Sequence, residues 1–213
     1  MKMKTTLALS LLALAAGCNQ SPANNVAAAA NNAAMSAPPE EPANQTADAN
    51  GQSAMPAGLD CVRNRLSPEQ RRDVAQAAVE QVSQEDPRAQ ALLQSVDACG
   101  EELSWSPEKR QLAAMFSMSA AGATGLRQVL GEQGIQVEAL DEVILSDRAL
   151  MMAAGQNQLD SDAGRSFAAR HHAELERVAN GQSLNGEAGS RIGHYIAFVA
   201  MAQTIAARFA NAS

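Results

Sequence analysis

Large rings are scarce in this 213-residue chain, which has one tryptophan, one tyrosine and four phenylalanines. Few aromatics and much alanine imply close helix packing around a thin core. Lysine is scarcer still: beyond Lys2 and Lys4, the only one is Lys109. Asp and Glu number 23 against 16 Lys and Arg, a formal net charge of −7. No basic run occurs, so nucleic acid and anionic lipid surfaces are not expected partners. Catalytic signatures are missing too. There is no G-x-S-x-G, no H-E-x-x-H and no G-x-x-x-x-G-K-[ST], which removes the nucleophile elbow, the zincin helix and the phosphate-cradling loop. The glycines of "AAGATG" (120–125) follow no strand and fall inside an expected helix. The adjacent carboxylates Glu101/Glu102 and Asp141/Glu142 point apart on a helix and read as solvated surface. Internal repeats are absent, and "EVILS" (142–146) has no second strand to pair with.

What is present begins at the N-terminus. Lys2 and Lys4 precede an apolar stretch, Leu7 to Ala16. Its length of about ten residues is half the ~20 that a bilayer span needs, so it reads as a secretion signal. The stretch ends in small residues and then a cysteine: Leu14-Ala15-Ala16-Gly17-Cys18. Here the chain resembles a bacterial lipoprotein precursor, with a signal peptide over 1–17. The resemblance covers only residues 1–18. The position three before the cysteine, commonly leucine in that family, is Ala15, with Leu14 one place earlier. The resemblance implies a diacylglyceryl group on Cys18, cleavage before it, and attachment to a lipid bilayer. One acyl chain holds a protein only marginally, whereas two or more anchor it stably. The residue after the cysteine is Asn19, not the Asp that tends to retain such proteins at an inner membrane. The resemblance therefore favours the periplasmic face of the outer membrane in a Gram-negative source.

Residues 18–58 read as a tether rich in Ala, Asn, Pro, Gln and Ser. Such a segment buries too little apolar surface to offset its ordering entropy, so disorder is expected. As a coil of about forty residues it would span roughly 35 Å.

Residues 59–213 are expected to form one all-α domain, a compact bundle of five or six helices. Ser67-Pro68-Glu69-Gln70 supplies a cap, a first-turn proline and a capping-box glutamine. Asp86-Pro87 opens a second helix, ending at Gly100. Ser106-Pro107 opens a long third, closed by Gly131 and Gly134. A fourth runs from Val137 through Met151 and Met152 to Gly155, with a break near Ser146. Asp160 or Asp162 caps a fifth, carrying Phe167, His171, Leu175 and Val178 inward. The sixth covers about Glu187 to Asn211. Its stretch Ile192 to Ala207 lacks formal charge but contains His194, Gln203 and Thr204 between Arg191 and Arg208. It reads as a buried central helix, not a second membrane anchor.

Cys61 and Cys99 remain once Cys18 is acylated. A pair in an oxidising compartment is expected to form a disulfide, worth roughly 4 kcal/mol for a loop of about forty residues. A redox-active pair and metal thiolates are the competing chemistries, and the lack of Cys-x-x-Cys argues against the first. No cofactor is expected, with one alternative in "RHHAELE" (170–176). His172 and Glu176 share a helical face, as do His171 and Glu174, and His194 could supply a further metal ligand. Met115, Met118, Met151 and Met152 could add soft sulfur suited to copper(I). The plainer reading makes His171 a core histidine, His172 a surface partner of Glu176, and the methionines gap-fillers. Asp160 and Asp162 begin like a calcium loop but meet Arg165 where glycine is required, so capping explains them better. The expected function is thus a lipid-anchored binding or interaction module with an envelope protein as possible partner. A metal- or small-ligand-binding bundle and a cryptic enzyme are the alternatives.

Overall fold

A computed structural model describes residues 55–212; the leader, Cys18 and the tether as far as residue 54 lie outside the described residues. Among the described residues there are nine helices and no strand. They are α1 (Leu59–Arg65), α2 (Pro68–Glu80), α3 (Pro87–Glu102), α4 (Pro107–Glu132), α5 (Val137–Ser146), α6 (Arg148–Gly155), α7 (Ser161–Arg170), α8 (His172–Val178) and α9 (Glu187–Asn211). The fold is all-α, as expected, but finer-grained than five or six helices.

Where sequence and structure agree, local hydrogen bonding is the reason. Ser67 Oγ accepts from the Gln70 N–H at 3.1 Å, and Gln70 Oε1 accepts from the Ser67 N–H at 2.9 Å, completing the capping box of α2. Asp86 and Ser106 cap α3 and α4 ahead of a proline. Asp160 Oδ1 accepts from the Asp162 and Ala163 N–H groups at 2.9 Å, which places the α7 cap at Asp160.

The break expected near Ser146 falls at Asp147, which ends α5 and caps α6. Where sequence and structure differ, tertiary contacts decide. The expected fifth divides at His171, whose backbone (φ −112°, ψ 24°) leaves the helical region. Helix α3 does not stop at Gly100 but continues to Glu102, and the left-handed residue beyond it is Ser104. Gly100 is buried because the Arg110 side chain crosses it; a Cβ there would meet Arg110 Nε at 2.6 Å. The short α1 has too few residues to show a period in the sequence. Leu59 and Val62 bury its inner face, and the Cys61–Cys99 disulfide ties it to α3 (S–S 2.09 Å, Cα–Cα 6.1 Å).

The long pair α4 and α9 forms the axis. At one end, Leu59, Val74, Leu92, Trp105, Ile205 and Phe209 make one core cluster; Trp105 meets Phe209 edge-on at 5.2 Å. At the other end, Leu130, Leu140, Ile144, Phe167, Val178 and Ile192 make the second. The small-residue stretch of α4 lets these helices approach closely. A Cβ on Gly122 would lie 2.7 Å from the Phe198 ring of α9. No helix among the described residues is long and apolar enough to cross a membrane. Eleven residues of α9, from Gly189 to Phe209, are buried, consistent with its expected central position.

Candidate functional site

The concavities of the described domain include two of several hundred cubic ångströms. The larger, of about 420 Å³, is a cleft between α1, α2, α4 and α9, with α5 at one side. Small side chains create it. On α4 the lining residues include Ser117, Ala120, Ala123 and Thr124; on α9 they include Val199, Ala202 and Ala206. Larger apolar groups close the far wall: Leu59, Val62 and Leu66 at α1, with Val74 of α2 and Leu92 of α3. Phe116, Ala120, Val199 and Ala202 stay only half-buried, and Leu145 is 40% exposed at the α5 side. The result is apolar surface that the chain's own core leaves partly open to water, the setting of most small-ligand sites.

A polar cluster sits in that wall. Tyr195 of α9 donates its hydroxyl to Asp141 Oδ1 at 2.7 Å. Arg127 of α4 bonds the other carboxylate oxygen of Asp141 and reaches Glu138 Oε1 at 3.1 Å. Its guanidinium also lies 6.0 Å from the Tyr195 ring centre. Burial pushes the Asp141 carboxyl above its ordinary value, although Tyr195 and Arg127 pull the other way. Burial, then the Asp141 hydrogen bond and charge, push the Tyr195 phenol well above its ordinary value. The phenol therefore remains a donor at neutral pH. Reading Asp141 as solvated surface is corrected here: Glu142 is exposed, but Asp141 turns into the wall against Tyr195. The available signal was Tyr195 itself, three residues after Ile192 on the apolar stripe, because a buried tyrosine hydroxyl needs an acceptor.

The second concavity, of about 370 Å³, lies between α7, α8 and α9. Phe167, Leu175, Ile192 and Ile196 line its floor, and His172 and Glu176 stand at it. His172 Nδ1 is 3.6 Å from Glu176 Oε2, and both side chains are more than half exposed. His171 turns elsewhere. Its Nε2 lies 2.8 Å from Asp147 Oδ2, and its ring packs 4.8 Å from the Phe167 ring. His194 is half-buried on α9, and burial lowers its pKa. Among the described residues, no group of three or more His, Cys, Asp or Glu is placed to hold a metal ion. His171, His172, Glu176 and His194 are thus not brought together as a ligand set. Met115, Met118 and Met151 are half-buried, and Met152 is exposed.

Asp147 was not foreseen as a site residue, yet it is the most heavily bonded carboxylate of the domain. It is buried. It accepts the Leu150 N–H at 2.8 Å as the α6 cap, two Arg170 nitrogens at 2.8 and 2.9 Å, and the His171 contact. Burial alone would raise its pKa, but the Leu150, Arg170 and His171 hydrogen bonds outweigh that and hold it below the ordinary range. The cluster joins the α5–α6 junction to the α7–α8 junction. It explains why both expected helices break where they do.

Fold and cavities together define an all-α, singly disulfide-bonded domain with an amphipathic cleft. The chain matches no protein-family model, no curated protein and no solved structure.

Proposed function

We propose that this chain is a lipid-anchored protein of the bacterial cell envelope. Acylated Cys18 holds it to a bilayer, on the periplasmic face of the outer membrane in a Gram-negative cell. The helical domain is a binding module that receives its ligand in the cleft between α1, α2, α4 and α9. The anchor rests on the Lys2/Lys4 start, the Leu7–Ala16 stretch and the small residues before Cys18. The binding role rests on one observation: an apolar cleft of about 420 Å³ whose wall holds a fixed donor–acceptor cluster of Arg127, Asp141 and Tyr195. A few placed polar groups in an apolar concavity are what orients a small ligand.

Two experiments test the reading. In cells fed radiolabelled palmitate, the wild-type chain takes up label and Cys18→Ser does not; label that persists in Cys18→Ser overturns the anchor. For the cleft, the environment-sensitive probe 1-N-phenylnaphthylamine brightens on the wild-type protein. Ala202→Phe, which fills the cleft at a half-buried position, removes most of that signal while keeping the wild-type melting curve. Equal brightening in both proteins overturns the cleft as the binding site.

A further inference from the structure

The chain as a whole is acidic, but the cleft reverses that sign. Three arginines line it, Arg63, Arg71 and Arg127, against one acid, Asp141. Arg127 is already committed to Asp141 and Glu138. Arg63 and Arg71 are not: among the described residues, neither has a carboxylate within 4.0 Å. Arg71 Nη1 donates to the Arg63 carbonyl at 3.2 Å. That bond uses one of five guanidinium donors and holds Arg71 across the α1–α2 junction. Arg65, the last residue of α1, shows the contrast: it turns from the cleft and pairs with Glu102 of α3.

The apolar part of the cleft has the dimensions of a hydrocarbon chain. Along α4 it runs from Phe116 to Arg127, about 16 Å at 1.5 Å per residue. The half-buried faces of Phe116, Ala120, Val199 and Ala202 offer it carbon, not hydrogen-bonding atoms.

The geometry points to a single-chain amphiphile with an anionic head as the occupant: a medium- to long-chain carboxylate whose head meets Arg63 and Arg71 and whose tail lies along α4 and α9. This deepens the proposed function and rests on it. Two features select that class. Arg63 and Arg71 are exposed at the cleft, so a neutral ligand leaves them to water and gains nothing from them, whereas an anionic head gains their charge and a cationic head is repelled. Asp141 does not oppose the head, because Arg127 and Tyr195 already hold its two oxygens.

The test uses the chain from residue 19 onward, tether included, exported behind a substitute leader so that the disulfide can form. Laurate, 1-dodecanol and dodecyltrimethylammonium share a twelve-carbon tail and differ in head charge. Titration calorimetry below micelle-forming concentrations compares them. Laurate binds tightest, dodecanol about tenfold more weakly, and the cation most weakly. The exposed double variant Arg63→Gln/Arg71→Gln brings laurate down to dodecanol and leaves dodecanol unchanged. Equal binding of laurate and dodecanol to the wild type, or a double variant that shifts neither, overturns the anionic head while the cleft still binds. Absence of binding by all three overturns the amphiphile itself. If phenylnaphthylamine nevertheless still brightens on the wild type and not on Ala202→Phe, the binding module survives the failure of its assigned ligand.

Discussion

Two aspartates six residues apart behave oppositely, and the cause is what surrounds each carboxyl. Asp147 is buried but receives hydrogen bonds from a backbone amide, Arg170 and His171. Its folded pKa lies below the ordinary value of 3.8. Its contribution to stability is therefore complete above that value and is lost as pH falls through the lower folded one. Asp141 has a raised folded pKa. Its contribution is present below 3.8 and is lost as pH rises through the raised value. Asp147→Asn should lower stability at pH 7 by about 2 kcal/mol, through a weaker cap and the loss of charged hydrogen bonds. It should also flatten the loss of stability below about pH 4. Asp141→Asn should stay within about 1 kcal/mol of wild type at pH 7, since a neutral acceptor still serves Tyr195. Melting temperature followed from acid to neutral pH distinguishes the two; equal effects at pH 7 would refute the contrast. An inward-turned His171 was legible from its place on the apolar stripe, although its side chain stays 22% exposed. Asp147 was not, because an acid after "VILS" looks the same in sequence whether it caps a helix or faces water.

At the scale of elements, the caps and the break near Ser146 were readable, and the break at His171 was not. Ser67, Asp86, Ser106 and Asp160 act within three residues of themselves, so their bonds are written locally. The divisions at Asp147 and His171 depend on each other across 24 residues. Glycines divide in the same way. Gly155 has nothing within 4 Å of an added Cβ, whereas Gly122 faces the buried Phe198 ring at 2.7 Å. Gly122→Ala should cost about 1–3 kcal/mol by forcing α4 and α9 apart. Gly155→Ala should change stability by less than about 0.5 kcal/mol. Chemical denaturation of both variants checks this, and a tolerated Gly122→Ala would mean that the α4–α9 contact is looser than described.

For the whole molecule, the disulfide matters most where the core is thinnest. Helix α1 has seven residues and buries two large side chains, Leu59 and Val62; a helix that short does not hold itself. The bond closes a separation of 38 residues, worth about 4 kcal/mol in the chain-entropy view. Cys61→Ser/Cys99→Ser should lower global stability by that order. Hydrogen exchange should show α1 losing protection well before α4 and α9. Uniform loss of protection would instead mean that α1 folds only with the rest. The cleft shares this dependence, since α1 forms one of its walls. Loosening α1 should therefore weaken phenylnaphthylamine binding before the domain unfolds.

The sequence by itself determined the helical class, most helix starts, the disulfide partners and the central place of α9. Each follows from short-range bonding, from periodicity, or from having two cysteines left to pair. The anchor proposed at Cys18 rests on the resemblance of residues 1–18 alone, which lie outside the described residues. The tertiary structure decided the rest. It turned Asp141 from surface to cleft wall, drew Asp147, Arg170 and His171 together, and kept the histidines from forming a ligand set. It also gathered arginines from α1, α2 and α4 around an apolar cleft in an acidic chain. The physical reason is that a site is made by residues far apart in sequence. Their side chains acquire partners, burial and shifted pKa values only once α4 and α9 have packed.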